Sequence, residues 1–291
     1  MFVALLRAMK REIAQTRHGV FKNRNSGPKR RAGSNIGPVM AEMLERRALM
    51  SATIASVDPS PPTAPLSPDG ILLQNPPANR VSAASTVVRI PDPYLRAAVL
   101  RALGKPAGEI TTAEMLSLTS LTANHIHDHV HTIKVLTGLQ YARNLTYLNL
   151  DYNQISDLSP LSGLTNLTWL HLYENKITDV SALNELIRLH GLDLGLNDIG
   201  DISALSEMTK MAGLNLHGNR LTDLGALSGM RDLKALNLRA NQVADVDALS
   251  GLTKLQHLDL RFNELSNAVP DLMAVISLLQ ARGTVVMYLP Q

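Results

Sequence analysis

From Asn144 onward, apolar residues recur at an interval that suits neither an isolated helix nor an isolated strand. Leu148, Leu170, Leu192, Leu214, Leu236 and Leu258 lie 22 residues apart, and so do Leu150, Leu172, Leu194, Leu216, Leu238 and Leu260. Three further columns stay apolar, starting at Leu145, Ile155 and Leu161. An Asn keeps the same spacing at Asn153, Asn175, Asn197, Asn219, Asn241 and Asn263. The frame reads L-x-x-L-x-L-x-x-N-x-I-x-D-[LVI]-x-x-L-x-x-L. Within each unit the L-x-L step has the period of a strand with one buried face. One such unit cannot bury its apolar face alone, so neighbours must stack.

This is the leucine-rich repeat. The fold class expected is an α/β solenoid: a curved rack with parallel β-strands on its concave face and short helical or 3-10 turns on its convex face. Six repeats fill residues 144–267. Residues 89–143 read as an N-terminal cap. Asp92-Pro93 offers a helix start, with Leu95, Val99, Ala102 and Leu103 on one face and Gly104 as its end. Thr111-x-x-Glu114 is a capping box for a second short helix, and LSLTSLTA reads as a first strand. Residues 268–291 read as a C-terminal cap. Leu272, Val275, Ile276 and Leu279 form a helix face, Gly283 ends the helix, and a strand runs from Thr284 to Leu289.

Two columns invite a chemical reading. Six Asn in register could be a polar binding stripe, but the chain turns sharply after each strand. A buried carboxamide there would satisfy backbone groups left unpaired, so the Asn column is read as structural. Asp157, Asp179, Asp201, Asp223 and Asp245 give one carboxylate per rung. That is too few oxygens for calcium, and they are read as turn residues.

Function is expected where the columns vary. The outward strand positions form a grid. One column runs Tyr147, Trp169, Gly191, Gly213, Ala235, His257. The next runs Asn149, His171, Asp193, Asn215, Asn237, Asp259. The third runs Asp151, Tyr173, Gly195, His217, Arg239, Arg261. The only Trp and three of the six Tyr (Tyr147, Tyr152, Tyr173) fall within two adjacent repeats. Aromatics gathered on an exposed face are candidate hot spots. The expected partner-binding set is Tyr147, Asn149, Asp151, Tyr152, Trp169, His171, Tyr173, Asp193, His217, Arg239, His257, Asp259 and Arg261. It is read as an aromatic anchor, a shallow floor of small residues and a mixed basic end, facing a protein or glycan.

Other chemistry is sparse. His125, His127, His129 and His131 alternate and would share a face on a strand, which makes them a weak metal candidate; a solvated loop is the preferred reading. There is no G-x-S-x-G, P-loop or H-E-x-x-H pattern, and no strong nucleophile beside the concave His and Asp residues. Catalysis, a cofactor and a resident metal are not expected. The chain has 291 residues and no Cys, so its stability does not depend on redox state.

Charge divides the chain. Residues 1–57 hold 11 Lys and Arg against 3 Asp and Glu, while the whole chain holds 28 against 25. The body is therefore acidic, which argues against a nucleic-acid partner despite KNRNSGPKRR. Residues 1–57 read as a basic, disordered head carrying a targeting-like segment, ALMSATIASV. Residues 58–88 read as a Pro-rich linker. No apolar run is long enough to span a membrane. A monomer is expected.

The frame, and SDLSPLSGLTNL in particular, resembles internalin-type repeats of bacterial surface and secreted proteins. IPDPYLRAAVLRALGKPAGEITTAEMLSLTSL resembles the N-terminal cap region of exported repeat proteins. MLERRALMSA resembles an L-E-x-R-x-L-L-S-A motif near the start of large exported bacterial proteins, with Met50 in place of the second Leu. The resemblance implies a non-catalytic exported binding module. No sorting motif follows the C-terminal cap, so firm surface attachment is not expected. The alternative is an intracellular scaffold or regulator, as in phosphatase-regulating proteins that share the 22-residue frame.

Overall fold

The computed structural model describes residues 85–124, 132–266 and 270–288, all within one compact unit, Ser51–Gln291. The basic head, most of the linker and His125–His131 lie outside the described residues. Eight short parallel strands form a single sheet in strict sequence order. They are β1 (Ser120–Thr122), β2 (Tyr147–Asn149), β3 (Trp169–His171), β4 (Gly191–Asp193), β5 (Gly213–Asn215), β6 (Ala235–Asn237), β7 (His257–Asp259) and β8 (Val285–Met287). From β2 to β7 each residue pairs with the one 22 positions on, as Tyr147 with Trp169 and Leu148 with Leu170. Single 3-10 turns such as Ser159–Leu161 and Ser181–Leu183 fill the far side of each coil. The fold is the expected solenoid.

The apolar columns explain the stacking. Leu148, Leu150, Ile155 and Leu161 are fully buried, and their equivalents in the other repeats are buried with them in one continuous core. Burial of one such side chain is worth about 1.5–3 kcal/mol. It is available only when the next coil is in place.

Backbone polarity is satisfied along two lines. On the strand side, bonds continue past the short strands, as from the Leu150 N–H to the His171 carbonyl. On the return arm a second ladder runs rung by rung, as from the Lys176 N–H to the Ile155 carbonyl. Between these lines each coil turns inward, and the Asn column fills the gap. Asn197 is fully buried. Its Oδ1 accepts from the Ile177 N–H at 3.0 Å, and its Nδ2 donates to the Leu172 and Leu194 carbonyls at 3.0 Å each. One side chain thus ties its own rung to the preceding one. Asn153, Asn175, Asn219, Asn241 and Asn263 repeat the arrangement.

To swing the carboxamide inward, the residue before each Asn takes a left-handed backbone. Tyr152, Glu174, Leu196, Ala240 and Phe262 have φ between 52° and 60°, and Gly218 has φ 69°. This conformation disfavours side chains by roughly 1–2 kcal/mol per residue, yet five of the six are not glycine. The Asp column serves the next bend. The Asp157 and Asp179 carboxylates accept from the Ser159 and Ser181 N–H groups at 2.8 Å. That bond holds the exposed Asp179 carboxyl below its usual range.

At the N-terminal end, helix α1 (Pro93–Ala102) starts at Asp92, whose Oδ1 accepts from the Tyr94 and Leu95 N–H groups. Oδ2 of the same carboxylate accepts from Lys134 and Val135, tying the helix start to the chain 42 residues on. The buried face is Leu95, Ala98 and Val99; Ala102, expected inside, is exposed, while Leu100 and Leu103 pack partly against the core. Helix α2 (Thr112–Ser117) opens on a complete capping box between Thr111 and Glu114. It also absorbs Leu116 and Ser117, so the first strand is shorter than the apolar run that announced it. Val87 bridges to Thr111, and Val88 is buried, so the end of the expected linker joins the folded unit. At the other end, helix α3 (Pro270–Ala281) buries Leu272, Val275, Ile276 and Leu279. Gly283, at φ 91°, turns the chain into β8, which covers β7.

Two expectations follow. Asn197→Ala strands one buried N–H and two carbonyls, so unfolding free energy should fall by about 2–5 kcal/mol, read from urea denaturation. Glu114 accepts from Lys105 Nζ at 2.7 Å and from the Thr111 N–H at 2.8 Å, and its pKa is lowered from 4.5 to about 2. A depressed carboxylate stabilises the fold above its unfolded pKa. That contribution should fade as pH falls from about 4.5 through about 2, and Glu114→Gln should remove this part of the acid dependence. An acid titration followed by amide exchange at Glu114 and Met115 would show it.

Candidate functional site

The outward face of the sheet is set by strand alternation. Leu148, Leu170 and their equivalents point inward, so residues on either side point out. Tyr147, Asn149, Trp169, His171, Asp193, Asn215 and Asn237 are half-buried on this face, as are His217, Arg239, His257 and Arg261. Four of the expected binding residues lie deeper: Asp151, Tyr152, Tyr173 and Asp259 are all buried. They shape the surface from beneath.

What each buried residue does is visible in its bonds. The Asp151 carboxylate accepts from the Tyr173 N–H at 2.8 Å, across one rung. Tyr152 and Tyr173 meet edge to face with ring centres 5.6 Å apart. Asp259 grips the Arg261 guanidinium at both oxygens, from Nε at 2.9 Å and from Nη2 at 2.6 Å. The pairing absorbs the charge of Arg261 within the protein.

A second register emerges in the Asn149 column, one that sequence reading treated as variable. Asn149, Asp193, Asn215, Asn237 and Asp259 each accept, through Oδ1, from the N–H two residues on. These side chains are pinned by the backbone, and Asn215 also donates to Asp193 at 2.9 Å. The preference for Asn and Asp is the missed signal: only these two side chains close that short ring well. His171 is the exception, and its ring lies 5.6 Å from that of Tyr147.

The two ends of the face differ. Near β2 and β3 the aromatic rings cluster. Trp169 extends toward the next rung, where its six-membered ring fills the space a side chain at Gly191 would need; a Cβ there would lie 2.1 Å from two of its carbons. Tyr173 does the same at Gly195, with carbons 2.8 and 3.0 Å from the Cβ position. Near β6 and β7 the Arg239 guanidinium lies 4.8 Å from the centre of the Phe262 ring, which is exposed. His217 Nδ1 meets the Arg239 carbonyl at 2.9 Å, which defines a ring tautomer that donates there. Desolvation lowers the His217 pKa from the usual imidazole value. Among the described residues, no three His, Asp or Glu side chains gather as a metal site requires, and no helix is long and apolar enough to cross a membrane.

Known proteins share this frame. A family model described as leucine-rich repeats in two copies matches residues 143–185 and 165–207, and another leucine-rich repeat model matches 214–265. Among solved structures, the internalin inlF from Listeria monocytogenes is 38% identical with a TM-score of 0.60, over 68% of this chain and 55% of that one. The chain thus spans about half the length of that internalin. Internalin C2 (inlC2) from the same organism is 33% identical, also with a TM-score of 0.60, over 67% of this chain and 82% of that one. Among curated proteins nothing matches. The repeat frame, the parallel sheet and these two neighbours place the chain among the internalin-like leucine-rich repeat proteins.

Proposed function

We propose that the chain is a non-catalytic, exported module that binds a protein partner on its concave sheet. Leucine-rich repeat folds are in general protein-binding modules without catalysis, and the site's geometry favours the same use here. The observation that carries the reading is the concentration of Tyr147, Trp169 and His171 on two adjacent strands of the outward face. Aromatic side chains supply large contact area at low entropic cost and dominate binding energy at interfaces. Eight strands at ~4.8 Å spacing give a face roughly 35 Å long, which suits the ~800 Å² per partner of a standard protein interface. The face is polarised, with aromatic rings at one end and Arg239 toward the other. A partner of matching polarity would be oriented as well as held.

Export rests on the N-terminal sequence: a basic head, the MLERRALMSA segment, a weakly apolar run and a Pro-rich stretch in that order. A solenoid whose stability needs no disulfide tolerates either side of a membrane.

Two measurements test the reading. The purified chain is screened by biolayer interferometry against a panel of cell-surface proteins and, in parallel, a glycan array. A protein hit should weaken about thirtyfold on Trp169→Ala, the scale of a ~2 kcal/mol hot spot, with the thermal midpoint nearly unchanged. Unaltered affinity would remove the aromatic patch from the account, and hits confined to glycans would replace the protein partner. The native chain should be recovered outside the cytoplasm with a new N-terminus near residues 50–60. An intact N-terminus in the cytoplasm would overturn export.

A further inference from the structure

We propose that Gly191 is a specificity-determining position of the concave face: it is the seat that holds Trp169 in one arrangement for a partner, while Gly195 seats the buried Tyr173 beneath the same patch. This rests on the concave reading above and says how the aromatic patch is kept in order.

Glycine is a poor strand residue, since it has no side chain to pack and loses the most conformational freedom. Two stand four residues apart, at the start of β4 and just beyond its end. Neither has the left-handed backbone that demands glycine; those positions are elsewhere, at Gly218 for example. Their backbones would accept an L residue, so the cause lies above the backbone. There each meets a ring from the preceding rung, Trp169 over Gly191 and Tyr173 over Gly195, where Asn215 Nδ2 from the following rung also lies 2.9 Å from the Cβ position. By contrast, a Cβ at Gly163 or Gly200 would touch nothing within 4 Å.

Tyr147 supplies an internal comparison. The residue one rung on from it is Trp169, not glycine, so no seat exists. Its ring leans instead diagonally onto His171 of the same next strand, at 5.6 Å and a tilt of 48°. A ring with a glycine directly ahead lies over that position, and the ring without one leans diagonally across the next strand. Tyr173 is fixed further by the edge of Tyr152. A ring already ordered in the free protein loses little freedom when a partner covers it, and it rejects shapes that would need it to stand upright.

The single Trp makes the seat visible. Gly191→Ala should shift Trp169 emission to the red and increase its quenching by acrylamide, while Gly163→Ala leaves both unchanged. Gly191→Ala should also lower the thermal midpoint by several degrees. The double variant with Trp169→Ala should melt with Trp169→Ala alone, because the clash has gone. Unchanged emission, or no recovery in the double variant, overturns the seat. For the binding role, peptides are selected from a displayed random library on the native chain, and those weakened at least tenfold by Trp169→Ala are kept. They should lose at least about fivefold on Gly191→Ala and nothing on Gly163→Ala. Equal binding to Gly191→Ala overturns the specificity role while the patch stands. If no selected peptide responds to Trp169→Ala, the patch itself fails and the role falls with it, whatever the emission shows.

Discussion

A carboxamide has one good acceptor and two donors, and the architecture depends on a place where all three are used at once. Each coil leaves its strand and turns inward, exposing one N–H and two carbonyls to an interior of leucine. The Asn side chain meets all of them and, in doing so, reaches into the rung before it. The apolar columns make stacking favourable, but leucine contacts alone would tolerate a slip. The carboxamide fixes the register of each rung against its neighbour, and the same contact recurs six times. It also imposes the left-handed turn before it, accepted even at Tyr152 and Phe262. The hydrogen bonds and the strain are two sides of one constraint.

The scaffold was highly legible because it repeats. A single rung would have been ambiguous, since three residues of alternating character do not define a strand. Six superimposed copies separate the columns that packing requires from those it leaves alone. Legibility dropped where repetition stopped. Ala98 rather than Ala102 completes the buried face of α1, and at the helix end it is Leu100 and Leu103 that rest against the core. The strand before the repeats was overextended for a similar reason: LSLTSLTA has a strand's composition, but the Thr111–Glu114 capping box commits its first residues to a helix.

The face was legible in outline and misleading in depth. Alternation located Tyr147, Trp169 and His171 correctly on the outward side. It could not show that Tyr152 and Tyr173 pack against each other or that Asp151 turns back to a neighbouring N–H, because burial depends on side chains from the adjacent rung. The Asn149 column differs from rung to rung in the sequence, yet it is confined almost wholly to Asn and Asp. That restriction is the trace of its bond to the N–H two residues on. The aromatic-to-glycine relation was present as well, at Trp169 and Gly191 and at Tyr173 and Gly195, but it appears only when positions 22 apart are read as neighbours.

A periodic lattice has a translational ambiguity: moved by one coil, its backbone coincides with itself. The core, the carboxamides and both backbone ladders all share that symmetry. The seated rings do not. Trp169 and Tyr173 point from β3 toward β4, and no other rung contains both an aromatic pair and the glycines to receive it. They act as an origin and an arrow on an otherwise uniform ruler, so any ligand that uses them is held to one phase and one direction along the sheet.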